Sequence, residues 1–175
     1  SGNAKLVVES LNSDKVIFLP DEFLAQNIAN QTDVKIISWK GRCEVHERFT
    51  AKEILAYKEQ HENIIVLAHP ECSPEVIEVS DFTGSTAGMN NYVKDNQPEK
   101  VIMVTECSMS DNVAIENPNV EFVRPCNLCP HMKRITLKKI YDALRFDQHE
   151  VTVDNQIIDK ARLSIDRMLE IGRQK

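Results

Sequence analysis

The sequence predicts a layered α/β protein with short parallel sheets, and two observations lead to this fold class. Short runs rich in β-branched residues recur along the chain, and helix-like segments separate them. A strand, a helix and a second strand in succession form a right-handed crossover, so neighbouring strands should be parallel. The runs have the continuous apolar character of buried strands. They are K-V-I-F-L (15–19), V-K-I-I-S-W (34–39), N-I-I-V-L-A (63–68), K-V-I-M-V (100–104) and V-E-F-V (120–123).

A capping signal marks the helix that follows the second run. In F-T-A-K-E-I, Thr50 and Glu53 have the spacing of a capping box, in which each side chain bonds to the other residue's backbone N–H. Phe49 and Ile54 occupy the two positions of a hydrophobic staple. A helix should therefore begin near residue 51.

Further helices are predicted in the second half of the chain. Ser73 is a capping residue followed by Pro74, which suits the first helical position. Thr136 begins another helix, and a terminal helix begins at Asp154. Both are amphipathic and should pack on something. Their apolar faces carry Leu137, Ile140, Tyr141 and Leu144, and Ile157, Ile158, Ala161, Ile165, Met168 and Leu169.

Composition and charge limit the classes of function. The chain has 21 Lys and Arg against 27 Asp and Glu, a formal net charge of -6, so nucleic acid is not expected as a partner. No apolar run reaches the roughly 20 residues of a membrane span, and no signal peptide is recognisable. A cytoplasmic protein without a membrane partner is the expectation. The 5 cysteines suit reduced thiols for metal or redox chemistry better than a disulfide framework.

Chemistry-bearing clusters follow three of the predicted strands. They are G-R-C-E-V-H after 34–39, H-P-E-C after 63–68 and P-C-N-L-C-P after 120–123. In open α/β sheets the ligand site lies beyond the carboxyl ends of the strands. These clusters are therefore the candidate functional site.

The cysteine pairs allow more than one reading. Cys126 and Cys129 have a spacing that suits one metal centre, a redox pair or two incidental buried thiols. With Cys43 and His46 they make a Cys3His set that would suit structural zinc. Cysteines from the ends of separate α/β units suit an iron-sulfur cluster equally well. The residues alone do not separate these two metal centres.

Two short motifs suggest places for a ligand. His69 and Glu71 in H-P-E place an imidazole beside a carboxylate, which suits proton transfer or hydrogen bonding, although a single histidine at a strand end is more often structural. Gly84-Ser85-Thr86 has the form of a helix start whose N–H groups and hydroxyls could hold a carboxylate or phosphate. An ordinary helix cap would have the same residues.

Together these motifs resemble the quinolinate synthase family. The resemblance rests on W-K-G-R-C-E-V-H-E-R-F, H-P-E-C-S-P-E-V, D-F-T-G-S-T and C-P-H-M-K-R-I-T-L-K-K-I-Y-D-A-L, which fit in order and spacing over nearly the whole chain. It implies three similar three-layer α/β/α domains in a pseudo-threefold arrangement, with a 4Fe-4S cluster at the junction. It also implies condensation of iminosuccinate (iminoaspartate) with dihydroxyacetone phosphate to quinolinate, on the route to NAD.

The resemblance assigns roles to the cysteines. Cys43 and Cys129 would be two cluster ligands, and His46 would face the same cavity. Cys126 would lie beside the cluster without ligating it. Cys72 and Cys107 match no ligand of the family.

The resemblance also assigns the substrate site. His46, His69 and Glu71 would be the catalytic residues, with Glu71 and His46 moving protons and His69 orienting a carboxylate. The substrate-binding residues would be Ser1, His69, Pro70, Glu71, Ser85 and Thr86. We expect His46, His69, Glu71, Ser85 and Thr86 to share one concave region.

Family members have a first domain and part of a second before this point, so the resemblance implies the C-terminal portion of a synthase. Residues 1–43 would finish the second domain, 44–129 would form the third, and 130–175 would return to pack on the first. The upstream segment, with the third cluster cysteine, would be a required partner. The alternative function is a zinc-stabilised α/β binding module using Cys43, His46, Cys126 and Cys129.

Overall fold

Parallel strand pairing organises the chain into two sheets. The computed structural model describes residues 1–173. The first sheet pairs β1 (Lys15–Phe18) with β2 (Lys35–Ser38). The second sheet has the order β4-β3-β5-β6, and all its neighbours are parallel. Its strands are β3 (Ile64–Ala68), β4 (Phe82–Thr83), β5 (Lys100–Val104) and β6 (Glu121–Val123).

Helices connect these strands and pack around the sheets, which confirms the predicted α/β/α fold class. Short 3-10 turns cover His46–Arg48 and Met132–Arg134. The helices are α1 (Ala4–Ser10), α2 (Glu22–Ala29), α3 (Ala51–Gln60), α4 (Pro74–Glu78), α5 (Thr86–Asn96), α6 (Cys107–Glu116), α7 (Leu137–Phe146) and α8 (Asn155–Arg173). The three-domain, pseudo-threefold arrangement stays a prediction.

The capping signals in the sequence are confirmed at most of the predicted helix starts. Thr50 and Glu53 form both hydrogen bonds of the capping box at the start of α3. Thr136 accepts a hydrogen bond from the Lys139 N–H at the start of α7. Ser73 makes no side-chain cap, although Pro74 does begin α4. Proline at the first helical position is compatible with a start that lacks a side-chain cap, because its ring already sets φ and removes one orphan donor.

All five predicted runs contain a strand, whereas β4 was not predicted. Its two residues, Phe82 and Thr83, pair with Leu67 and Ala68 of β3. So short a strand has no periodicity to detect. The Asp81 side chain, just before it, accepts a hydrogen bond of 2.8 Å from the Val66 N–H and holds this edge of the sheet.

The larger core lies between the second sheet and the helices that cover it. β3 and β5 are the central strands, and nearly all their side chains are buried. The core cluster packs one face of this sheet against α5 and α6, and its buried members are Leu67, Met89, Val93, Val101, Met103, Val113 and Val120.

One face of the first sheet packs on a small core, and its other face carries exposed apolar side chains among residues 1–173. Val16, Phe18 and Ile36 pack against a small core that contains Leu24 and Ile28 of α2. On the other face, Ile17 is 73% exposed and Trp39, just after β2, is 63% exposed. Parallel sheets are normally buried on both faces, so this apolar face is suited to burial by further structure.

The chain divides into two compact units, Ser1–Leu128 and Cys129–Lys175. The second unit contains α7 and α8, in which no residue is buried. Asp154 accepts a hydrogen bond from the Gln156 N–H, which confirms the predicted start of the terminal helix. The predicted domain boundaries stay a prediction, and the last two residues of the predicted third region lie outside the described residues. Within residues 1–173, the structure has no helix long and apolar enough to cross a membrane.

Replacing Ile54 with alanine should lower the free energy of unfolding by about 2–5 kcal/mol, because Ile54 is fully buried and the change leaves a cavity. The measurement is urea unfolding of the chain followed by circular dichroism. Leu55→Ala is the matched control, since Leu55 is the next residue of α3 and is 46% exposed. Equal losses in the two variants would contradict this packing of α3.

Candidate functional site

The pairing of β3 with β5 brings two loops of the site together. The last residue pair in this ladder is Ala68 with Val104, so His69 and Thr105 follow side by side. The Val104 carbonyl accepts a hydrogen bond of 3.2 Å from the His69 N–H and another from the Cys72 thiol. The H-P-E-C loop is therefore anchored to the end of β5.

Two histidines and a glutamate form the centre of the site. The imidazole rings of His46 and His69 stack, with their centroids 4.5 Å apart. Glu71 Oε2 lies 3.2 Å from His46 Nδ1 and 3.8 Å from His69 Nδ1. The first of these contacts is close enough for charge attraction, although His46 Nδ1 makes no well-aligned hydrogen bond. Both imidazoles are buried, at 7% exposure each.

Cys43 completes a group of three potential metal ligands. Ligand atoms of Cys43, His46 and Glu71 all lie within 4.8 Å of one another. The backbone N–H of Cys43 donates a hydrogen bond of 3.0 Å to Asp21 Oδ2, while the other oxygen of Asp21 caps α2. One buried carboxylate therefore ties the Cys43 loop to the start of a helix.

The electrostatics of the site favour a thiolate at Cys43. The neighbouring His46 side chain lowers the pKa of the Cys43 thiol below its ordinary value, against the opposing effect of burial. Burial alone would lower the pKa of His46, but its contacts with Cys43 and Glu71 outweigh burial and raise it. The pKa of Glu71 is lowered chiefly by its contact with His46.

His69 has the opposite charge preference. Burial and the neighbouring charge of His46 lower its pKa, so the two stacked rings do not both carry a proton easily. His69 is thus suited to a neutral, hydrogen-bonding role. A thiolate is the form of cysteine that binds metals, so Cys43 fits the iron ligand that the family resemblance implies.

Two further residues predicted to bind substrate, Ser1 and Ser85, have close neighbours in the structure. Ser1 Oγ is 3.3 Å from His69 Nε2. Gly2 passes so close to Ser85 that a Cβ added to it would lie 3.3 Å from Ser85 Oγ. Ser85 also caps α5 by accepting a hydrogen bond from the Gly88 N–H. Its hydroxyl therefore already has the structural role that an ordinary cap would have.

Two separate depressions contain predicted site residues. A depression of about 260 Å³ beside Cys43 and Glu71 is also lined by Asp21, Trp39 and Arg42. Thr86 lines a different depression of about 250 Å³, together with Asn90 and Met109. His46, His69 and Glu71 are brought together as expected. The role of Thr86 as a substrate contact stays a prediction.

Three buried polar residues that support the site were not singled out in the sequence. Asn27 donates hydrogen bonds to the carbonyls of Pro70 and Cys72, at 2.8 and 3.1 Å. Thr105 Oγ1 is 3.0 Å from His46 Nε2, and Asp21 holds Cys43. The one signal for Asp21 was its position as a capping residue before α2. Asn27 sits within a helix, where nothing in a local pattern distinguishes it from a surface residue.

The expectation of reduced thiols does not hold for two of the five cysteines. Cys107 and Cys126 form a disulfide, whereas Cys43, Cys72 and Cys129 are outside any disulfide in the described chain. The Cys107 N–H also donates to the Asn127 carbonyl, so the start of α6 and the P-C-N-L-C-P loop run alongside each other. Only this three-dimensional adjacency brings together two cysteines 19 residues apart.

The disulfide also corrects the predicted zinc set. A sulfur in a disulfide has no thiolate to offer, so Cys126 cannot join Cys43, His46 and Cys129 as a fourth zinc ligand in this form. Cys129 belongs to the second unit, and its assignment as a cluster ligand stays a prediction.

The fold and the site define a parallel α/β protein with a thiol, an imidazole and a carboxylate grouped in the loops that follow the carboxyl ends of its strands. The family model described as Quinolinate synthetase A protein matches residues 1–170. The chain is therefore a member of the quinolinate synthetase A family.

Individual relatives agree with this family. The chain is 59% identical to Quinolinate synthase 2 of Mesorhizobium japonicum, covering 98% of this chain and 53% of the relative. It is 60% identical to Quinolinate synthase of Sinorhizobium fredii, covering 98% and 48%. It is 58% identical to Quinolinate synthase of Xylella fastidiosa, covering 98% and 50%. The chain thus spans about half the length of the curated relatives it matches.

Replacing Asn27 with aspartate should lower the free energy of unfolding by about 2–3 kcal/mol. The change removes the donor to two carbonyls and leaves a buried charge facing them. Urea unfolding measures the loss, and Asn30→Asp, at the exposed residue that directly follows α2, is the control, expected within about 0.5 kcal/mol of the parent. A loss no larger than in this control would mean that Asn27 does not hold the H-P-E-C loop.

Cys43 should react with iodoacetamide faster than Cys72 in the metal-free chain at pH 7. The lowered pKa of Cys43 increases its thiolate fraction, whereas burial raises the pKa of Cys72 to about 12. His46→Gln should slow the alkylation of Cys43 roughly tenfold, because the group that stabilises the thiolate is lost. Timed alkylation with peptide mass spectrometry gives the rates. An unchanged Cys43 rate in that variant would contradict the assigned role of His46.

Proposed function

We propose that this chain is the C-terminal half of a quinolinate synthase, which condenses iminosuccinate with dihydroxyacetone phosphate. The products are quinolinate, phosphate and two waters, and the atoms balance without an added oxidant or reductant. The observation that carries the proposal is the grouping of Cys43, His46 and Glu71 within 4.8 Å, beside the stacked ring of His69. Membership in the quinolinate synthetase A family supports the same reaction.

The cofactor of this proposal is a 4Fe-4S cluster. Cys43 and Cys129 would be two of its ligands, and a cysteine of the upstream half would be the third. Such a cluster supplies a Lewis acid at the iron that has no cysteine ligand. The lowered pKa of Cys43 supports a thiolate ligand at this position.

The side chains around Cys43 would bind the substrate and move its protons. Glu71 and His46 are in contact and have opposite preferred charges, which suits a pair that passes a proton during tautomerisation and loss of water. His69 favours its neutral form and has Ser1 Oγ within 3.3 Å, which suits hydrogen bonding to a substrate carboxylate. Ser85 and Thr86 would add hydroxyl contacts, and Pro70 would line the site.

The upstream half of the same protein is the proposed partner. The relatives are about twice as long as this chain. The exposed face of the first sheet, with Ile17 73% exposed, is an apolar surface suited to burial by that half. The amphipathic helix α8 offers a second such surface, on which Ile165 is 53% exposed.

Anaerobic reconstitution with iron and sulfide, followed by a quinolinate assay, tests the function. The full-length protein should turn brown, contain iron and sulfide in equal amounts and make quinolinate. This chain alone should have no activity, because it would supply only two of the three proposed cluster ligands. Turnover by the isolated chain, or a colourless zinc-containing full-length protein without turnover, would overturn the proposal.

A further inference from the structure

Thr105 is a buried hydroxyl aimed at the centre of the site, and the sequence motifs did not include it. It is 3% exposed, and its Oγ1 lies 3.0 Å from His46 Nε2. Glu71 lies at the other nitrogen of the same ring, 3.2 Å from Nδ1. His46 is thus contacted at both nitrogens, and His69 covers one ring face.

The position of Thr105 is well determined by the fold. It directly follows β5, and its own N–H donates to the Met103 carbonyl. The preceding residue, Val104, is fully buried and bonds to the His69 N–H. The end of β5 therefore holds the backbone of His69 through Val104 and the imidazole of His46 through Thr105.

A hydroxyl suits this position because it both donates and accepts hydrogen bonds. It can pair with Nε2 whichever ring nitrogen carries the proton. A methyl group of the same size could fill the space but would leave a buried nitrogen without its partner. The ring would then have one fewer contact to keep Nδ1 directed at Glu71.

We propose that Thr105 is a positioning residue for His46, holding the ring so that Nδ1 faces Glu71 in the proton-transfer step. This inference rests on the proposed function and adds to it a residue outside the family motifs quoted above. Thr105 acts through His46 and has no contact with substrate in this role. Its loss should therefore slow turnover more than it weakens substrate binding.

The test uses the full-length protein carrying its cluster, with Thr105→Val, Thr105→Ser and the control Ser110→Ala. Ser110 is equally buried, at 3% exposure, but lies on α6 outside the site. T105V should lower kcat about 10- to 100-fold with KM changed less than about twofold and unchanged absorbance of the cluster. T105S should recover most of the lost kcat, and Ser110→Ala should retain the parent kcat. Thr105→Ala is the second variant if T105V does not fold.

Crystal structures of the T105V and T105S proteins provide a readout that does not depend on activity. In T105V the His46 ring should turn or shift so that the contact of Nδ1 with Glu71 is lost, and in T105S it should stay. A kcat for T105V within about twofold of the parent, a T105S variant as slow as T105V, or an unmoved ring would overturn the proposal. A parent protein that holds a cluster but makes no quinolinate would overturn the proposed function instead, and the crystal structures would still decide whether Thr105 sets the ring.

Discussion

The in-register pairing of β3 with β5 is the constraint on which the candidate site depends. Ala68 pairs with Val104, so β3 and β5 end at the same level of the sheet. His69 and Thr105, the residues that follow these strands, therefore lie next to each other. The carboxyl ends of parallel strands all lie on the same side of a sheet, so the loops that follow the strands gather on that side. His69 and Thr105 are far apart in the sequence, yet the ladder of two buried strands places them side by side, next to the loop with Cys43 and His46 that follows β2.

Contacts with neighbouring groups give the two histidines of the site different charge preferences. His46 and His69 are equally buried and stack on each other, but only His46 is in contact with both Cys43 and Glu71. Charge attraction in a poorly solvated environment therefore favours the proton on His46, and the resulting charge disfavours a second proton on His69. Two identical residues thus acquire different roles from their neighbours alone.

The cysteines show that local sequence patterns do not predict bonds between residues that are distant in the sequence. The spacing of Cys126 and Cys129 suggests that the two act as a pair, but Cys126 is bonded to Cys107, which belongs to no motif. Cys72 is fully buried and donates to the Val104 carbonyl, which gives it a structural role in anchoring the H-P-E-C loop. Asn27 is a similar case, since its hydrogen bonds reach residues more than 40 positions away.

The sequence by itself determined the α/β class, the five longer strands and the capped start of α3, because these depend on periodicity and on contacts between residues a few positions apart. Its motifs also singled out Cys43, His46, His69 and Glu71. Only the tertiary structure decided that Asp21, Asn27 and Thr105 support them, and that Cys107 pairs with Cys126. The physical reason is that a buried hydrogen bond or a disulfide joins atoms that are close in space, and sheet topology, which local pattern does not record, sets that closeness.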